Sequence, residues 1–202
     1  MEPTRPAAVT RVSDTIEELA GRLISRPLGS LWEGAIEEIT SVWAPFQFLV
    51  GTWEGTGQGR PGSSHVRRQY QFVLNGKFLQ VKNRSVYDPH DKTPSGEVHE
   101  DWGFLSFDET RGVFVLRQFH VEGFVNQYAL LGPASGDLPL RFVSEAIENI
   151  APGWRARETY RKLGDNEFIE TFDLAEPGKE FELYTENHFH RSNDLRETHS
   201  AA

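Results

Sequence analysis

Two histidines stand two positions apart in Asn187-His188-Phe189-His190. On an extended strand that spacing puts both imidazoles on one face, where both can reach a single metal ion. Two ligands make a weak site without a third. A further histidine, His120, ends the run Val113-Phe114-Val115-Leu116-Arg117-Gln118-Phe119-His120. On a strand, Gln118 and His120 share a face with Phe114 and Leu116, and polar groups set among apolar ones need partners. Asn126 and Tyr128 follow closely. Gln118, His120, Asn126 and Tyr128 are therefore the candidate hydrogen-bonding groups of an aromatic pocket, with Trp53 as a further lining residue. Arg155 and Arg157 alternate with Trp154 and Ala156, and an inward Arg157 would hold a ligand carboxylate through paired hydrogen bonds.

Carboxylates are plentiful, among them Glu97, Glu100, Asp101, Glu145, Glu148, Glu158 and Glu170. Two of them enclosed together would suit acid–base chemistry, but most are expected to face water, and the sequence does not show which ones meet. His99, beside Glu100 and Asp101, reads as part of a wet strand end. Neither a Ser-His-Asp spacing nor a glycine elbow argues for hydrolysis. The glycines of Gly55-x-Gly57-x-Gly59 are not a phosphate loop, because no helix and no Lys-Ser or Lys-Thr follows them. They suit a bent strand that lets a neighbour or a ligand approach closely. With no cysteine, the chain has no disulfide, no catalytic thiol and no cysteinyl metal site.

The elements that must position these residues fall into two parts. Over residues 1–45, Ile16, Leu19, Ala20, Leu23 and Ile24 form a helical stripe that ends at Pro27 and Gly29. Leu31, Trp32, Ala35, Ile36, Ile39 and Trp43 form a second one that stops at Pro45. This helical extension is expected to pack on the rest of the protein, or to serve as a dimerisation arm or a lid. From residue 46 to 202 the helical period is gone. Runs rich in Val, Phe, Tyr, Leu and Thr predict strands at about 49–58, 66–74, 77–87, 98–107, 112–122, 124–131, 139–148, 154–163, 167–174 and 180–191. Asn75-Gly76, Asp108 to Gly112, Gly164-Asp165-Asn166 and Pro177-Gly178 mark the turns. No segment between strands is long enough for a crossover helix, so parallel pairing is excluded. About ten antiparallel strands in sequence leave exposed edges unless they close. The fold class is therefore mainly β: a closed up-and-down antiparallel barrel with an N-terminal helical extension, wide enough to hold a small molecule.

Gly51-Thr52-Trp53 with Gly55-x-Gly57-x-Gly59 resembles the opening of the nitrobindin-like family, haem-binding ten-stranded barrels of the wider lipocalin and fatty-acid-binding-protein-like superfamily. Asn75-Gly76-Lys77-Phe78-Leu79 and Glu97-x-His99-Glu100-x-Trp102-Gly103-Phe104-Leu105 look like the next segments of that family, in the same order. The resemblance covers about residues 46–191. The Tyr-Pro that commonly follows the glycines is replaced by Arg60-Pro61-Gly62, and the chain is longer than the family's compact barrel. The resemblance implies haem b as a cofactor, with His188 as the ligand to iron, and nitric oxide or peroxynitrite handling of the peroxynitrite-isomerase kind if haem binds. The strand's own alternation argues the other way. Phe181, Leu183, Thr185, Asn187 and Phe189 form its more apolar face, so His188 points to solvent unless a bulge reverses the register. If His188 points outward, a haem-free carrier or sensor of a small apolar molecule, oriented by His120 and its neighbours, is the expectation. A haem-free enzyme and a filled, purely structural barrel stand as alternatives.

Composition narrows the partners. Thirty acidic against 21 basic residues give a net charge of −9, and only His65-Val66-Arg67-Arg68 clusters positive charge, so nucleic acid is not expected. No apolar run reaches the roughly 18 residues of a membrane span. The first 20 residues lack the apolar stretch of a signal peptide, so a cytoplasmic protein is expected. The two amphipathic stripes would suit a homodimer.

Overall fold

A computed structural model describes residues 42–89, 95–134 and 138–192. Ten strands follow one another: β1 (Gly51–Gly59), β2 (Ser64–Val73), β3 (Phe78–Tyr87), β4 (Glu97–Asp108), β5 (Val113–His120), β6 (Val125–Leu130), β7 (Leu140–Glu148), β8 (Arg155–Gly164), β9 (Glu167–Ala175) and β10 (Glu182–Arg191). Each pairs antiparallel with its sequence neighbours, and β1 pairs with β10, which closes the barrel. The expected strands are all present. The β2–β3 turn is built on positive φ at Leu74, Asn75 and Gly76, the conformation that Asn-Gly tolerates most readily.

The expected helices of residues 1–45 lie almost wholly outside the described residues. The described α-helical residues, Val42 and Trp43, end just before Pro45, as the sequence predicts. What the sequence reading did not anticipate is the 3-10 helix, Ala44–Leu49, that follows and precedes β1. Proline's fixed φ suits the first turn of a helix, and here it opens one.

That short helix shuts one end of the barrel. Phe46 is fully buried, its ring 4.5 Å from that of Phe114 and 6.3 Å from that of Phe142, while Phe48 lies 6.1 Å from Phe168. Leu79, Leu105, Leu116 and Phe142 continue the apolar packing inward, around a cavity of about 20 Å³. That is room for one water, far below the roughly 300–1,000 Å³ of a ligand pocket. The apolar half of the barrel is thus filled by the protein itself.

The inward positions of β1 explain its glycines. A Cβ on Gly55 or Gly59 would overlap a backbone carbonyl of β10, at His188 and Tyr184 respectively. One on Gly57 would overlap the side chains of Asn187 and Ser64. The glycines serve the close approach of β10 that closes the barrel. On β10 the register shifts between Leu183 and Thr185. Leu183, expected on the inner face, is therefore 51% exposed, while Phe189 is fully buried. The bulge lies before His188, so the inward assignment of Phe189 is unchanged.

Candidate functional site

The opposite end of the barrel, where β4 begins and β5 ends, is polar inside. The inner face of β2 reads Ser64, Val66, Arg68, Tyr70, each buried. β3 contributes Asn83 and Ser85, β4 His99 and Asp101, β5 Gln118 and His120, β6 Asn126 and Tyr128, β8 Glu158 and Tyr160, and β9 Glu170. Strand alternation delivers all of them to one enclosed space.

Arg68 is the centre of the network. Its Nη1 donates to Glu170 Oε1 at 2.7 Å and to the Tyr70 hydroxyl at 3.2 Å, and its Nε donates to Asn83 Oδ1 at 3.0 Å. The guanidinium also lies over Phe189, 4.7 Å from the ring centroid. Asn187 Nδ2 donates to the other Glu170 oxygen at 2.9 Å. Asn83 Nδ2 passes the chain on to Asp101 Oδ2 at 2.8 Å. His99 Nε2 lies 3.4 Å from that same Asp101 oxygen, and its Nδ1 lies 2.7 Å from Glu122 Oε1. His120 sits beside His99, ring centroids 5.5 Å apart, and its Nε2 is 3.1 Å from Asn126 Nδ2, which also donates to the Tyr128 hydroxyl at 2.8 Å. A buried ion pair persists only with this kind of support, since desolvation offsets much of its attraction.

Protonation follows from these neighbours. Burial, then the negative charge of Glu170, pushes the Glu158 carboxyl up to about 8 against the helping hydrogen bond from Tyr160, so it is protonated at neutral pH. Burial works against a charged His99, but hydrogen bonds to Asp101 and Glu122 outweigh it and lift the imidazole to about 9. His120 is lowered, chiefly by burial, despite Asp101 nearby. For Asp101, burial is overcome by the His99 hydrogen bond and the charge of Arg68, and its carboxyl is held below the usual range. Two buried acceptors, Gln118 Oε1 and Asn126 Oδ1, have no hydrogen-bond partner among the described residues.

Gln118, His120, Asn126 and Tyr128 are thus brought together at the polar end. Trp53 is not. It is fully buried at the closed end, its Nε1 donating to Leu49 O at 2.7 Å and its ring 4.7 Å from Phe168. Arg157 points outward, because Ala156 and Glu158 on either side of it point in; its Nε donates to Asp173 Oδ2 at 3.0 Å. His188 is also outside, between the inward Asn187 and Phe189, with Nε2 2.6 Å from Glu167 Oε1 and its ring 4.7 Å from His190. Arg68 is the inward arginine instead. Its signal was an ionic residue in the otherwise apolar alternation Val66, Arg68, Tyr70, Phe72. Glu158 between Ala156 and Tyr160, and Glu170 between Phe168 and Phe172, carried the same signal. His99 and Asp101, read as a wet strand end, share the interior with His120.

The residues present do not fit a haem held by His188 inside the barrel. That imidazole is on the outer face and bound to Glu167, and the inward neighbour Phe189 is stacked on Phe168 at 4.7 Å.

The sequence matches no protein-family model and no curated protein. Among solved structures, the fold is similar to Rv2717c from M. tuberculosis, at 18% identity and a TM-score of 0.59, over 75% of this chain and 98% of that one. A redesigned barrel, mFAP0, bound to DFHBI also aligns, at 9% identity and a TM-score of 0.40, over 72% of this chain and 100% of that one. At these identities the likeness concerns the fold alone. The class defined by fold and interior is a closed ten-stranded antiparallel β-barrel, apolar and filled at one end and polar at the other.

Proposed function

We propose that this protein is a small-molecule-binding barrel, a carrier or sensor, that takes a compact ligand bearing hydrogen-bond donors at its polar end. The observation that carries the reading is the pair of buried, unpartnered acceptors on neighbouring strands, Gln118 Oε1 and Asn126 Oδ1. A buried acceptor left unpaired costs about 1–3 kcal/mol, a cost that a donor ligand removes. The neighbouring neutral groups, a protonated Glu158 and the Tyr128 hydroxyl, suit a ligand that is neutral or weakly polar. The ligand class moves from apolar to polar because the apolar half of the barrel is occupied by Phe46, Phe142 and their neighbours.

The test is a titration with small neutral donors (urea and acetamide) followed through the side-chain amide signals of Gln118 and Asn126 in 1H–15N spectra. Saturable shifts at both amides, abolished in Gln118→Leu, support the reading. Because Gln118→Leu removes an unpaired acceptor, it is expected to leave the fold as stable as before or more so. Shifts confined to surface signals would overturn it and make the polar end a structural network.

A further inference from the structure

The geometry points to a divalent-metal site of the zinc-binding kind at the polar end of the barrel, with His99 Nε2, Asp101 Oδ2 and one ring nitrogen of His120 as its protein ligands. Their ligand atoms all lie within 4.8 Å of one another, and Asp101 is buried while both histidines are partly so. The 3.4 Å between His99 Nε2 and Asp101 Oδ2 is the edge of a tetrahedron whose corners lie about 2.1 Å from its centre, the usual zinc bond length to nitrogen and oxygen. Two imidazoles and one carboxylate form a ligand set that selects zinc and its transition-metal neighbours over calcium or magnesium.

The groups behind the ligands are those a metal site requires. A ligating imidazole needs its other nitrogen fixed, and Glu122 Oε1 holds His99 Nδ1 at 2.7 Å, leaving Nε2 turned to Asp101. Asn83 Nδ2 donates to Asp101, and the Asn126 amide lies 3.1 Å from His120 Nε2. His99 and Asp101 thus each have a supporting residue, Glu122 just after β5 and Asn83 on β3, and Asn126 abuts His120.

A second observation points the same way. Asn126, which touches His120, and its cross-strand neighbour Gln118 carry the two unpartnered buried oxygens. Three protein ligands leave a zinc ion an open position, and water held there supplies donors of the kind these oxygens lack. The outer cluster of Glu167, His188 and His190 also brings three ligand atoms together. It has neither the burial nor the unpartnered acceptors, and serves as the control. The metal site stands whether or not an organic ligand binds.

The experiment is a titration of untagged, chelator-treated protein with Co2+, read as visible d–d absorption, followed by displacement with Zn2+. One equivalent of Co2+ is expected to give saturable tetrahedral-type bands, bleached by Zn2+. His99→Gln and His120→Gln should each weaken binding at least tenfold. Glu122→Gln, which removes only a supporting group, should weaken it about 10- to 100-fold with the fold intact. The double variant His188→Gln/His190→Gln should bind as the parent does. Circular dichroism of each variant separates lost binding from lost folding. The absence of saturable bands, or bands lost only in the His188/His190 double variant, would overturn the assignment. The donor-ligand reading is tested without metal, so the two can fail separately.

Discussion

The guanidinium of Arg191, at the end of the last strand, lies over the indole of Trp53 in the first, 4.3 Å from the ring centroid. From there Nη1 donates to Val50 O at 2.7 Å and Nη2 to Phe48 O at 2.8 Å. One side chain thereby ties both ends of the barrel's chain to the 3-10 helix that closes it. Trp53 completes the arrangement from the inside, through its bond to Leu49 O. The short Gly51-x-Trp53 signature is thus a closure device in this protein.

Arg191→Ala should therefore cost about 2–4 kcal/mol, since it removes a stacked cation and leaves helix-end carbonyls without their donors. Arg191→Lys should recover only part of that, because an ammonium cannot serve two carbonyls in a fixed fork. Urea unfolding midpoints of the two variants check the ranking; equal midpoints for Ala and the parent would show that the tie is incidental.

The Arg68–Glu170 pair predicts a non-additive result. Arg68→Met should destabilise by about 3–5 kcal/mol, because Glu170, 3% exposed, is left without its counterion. Removing the charge as well, in Arg68→Met/Glu170→Gln, should regain much of the loss. A double-mutant cycle in urea measures the coupling.

Glu158 gives a pH dependence whose sign is fixed by linkage. Its carboxyl ionises near the ordinary 4.5 when the chain is unfolded and near 8 when folded. The folded state therefore keeps a proton that the unfolded state has lost, and stability falls as pH rises through that window. His99, lifted to about 9, acts in the same sense but only above its ordinary value of 6.5. Between pH 5 and 6.5 the fall from Glu158 is opposed by His120, whose imidazole burial holds below 6.5, so the difference between parent and variant reports Glu158. Glu158→Gln should remove that fall, and should stabilise the protein at pH 8 by a few kcal/mol relative to the parent. Unfolding midpoints at pH 5, 6.5 and 8 decide it; an unchanged slope in the variant would place the titrating group elsewhere.

The outward His188 makes a fourth expectation. Ferric haem added to the purified protein should give no stoichiometric Soret band that depends on His188, and His188→Ala should leave the spectrum unaltered. A sharp band lost in that variant would mean that β10 adopts a different register when haem binds.

Much of the barrel was legible in the chain. Val, Phe, Tyr and Thr in short alternating runs, broken by Asn75-Gly76 and the other turn residues, mark ten strands, and turn chemistry is local enough to be read residue by residue. Gln118, His120, Asn126 and Tyr128 were also legible, because polar residues within an apolar alternation announce themselves. The position of Trp53 was not, because its partner Arg191 lies at the far end of the sequence and the two meet only when β1 pairs with β10.

Period-two patterning and the absence of crossover helices fix the class, since both depend on neighbouring residues. Which of the many carboxylates are buried together, and which arginine turns inward, depends on the closure of ten strands into a ring. Closure sets Arg68 against Glu170 and draws Asp101 and His99 beside His120, across strands whose meeting no local pattern records. Arg157 and His188 were left outside by the single alternation step that a strand's pleat imposes.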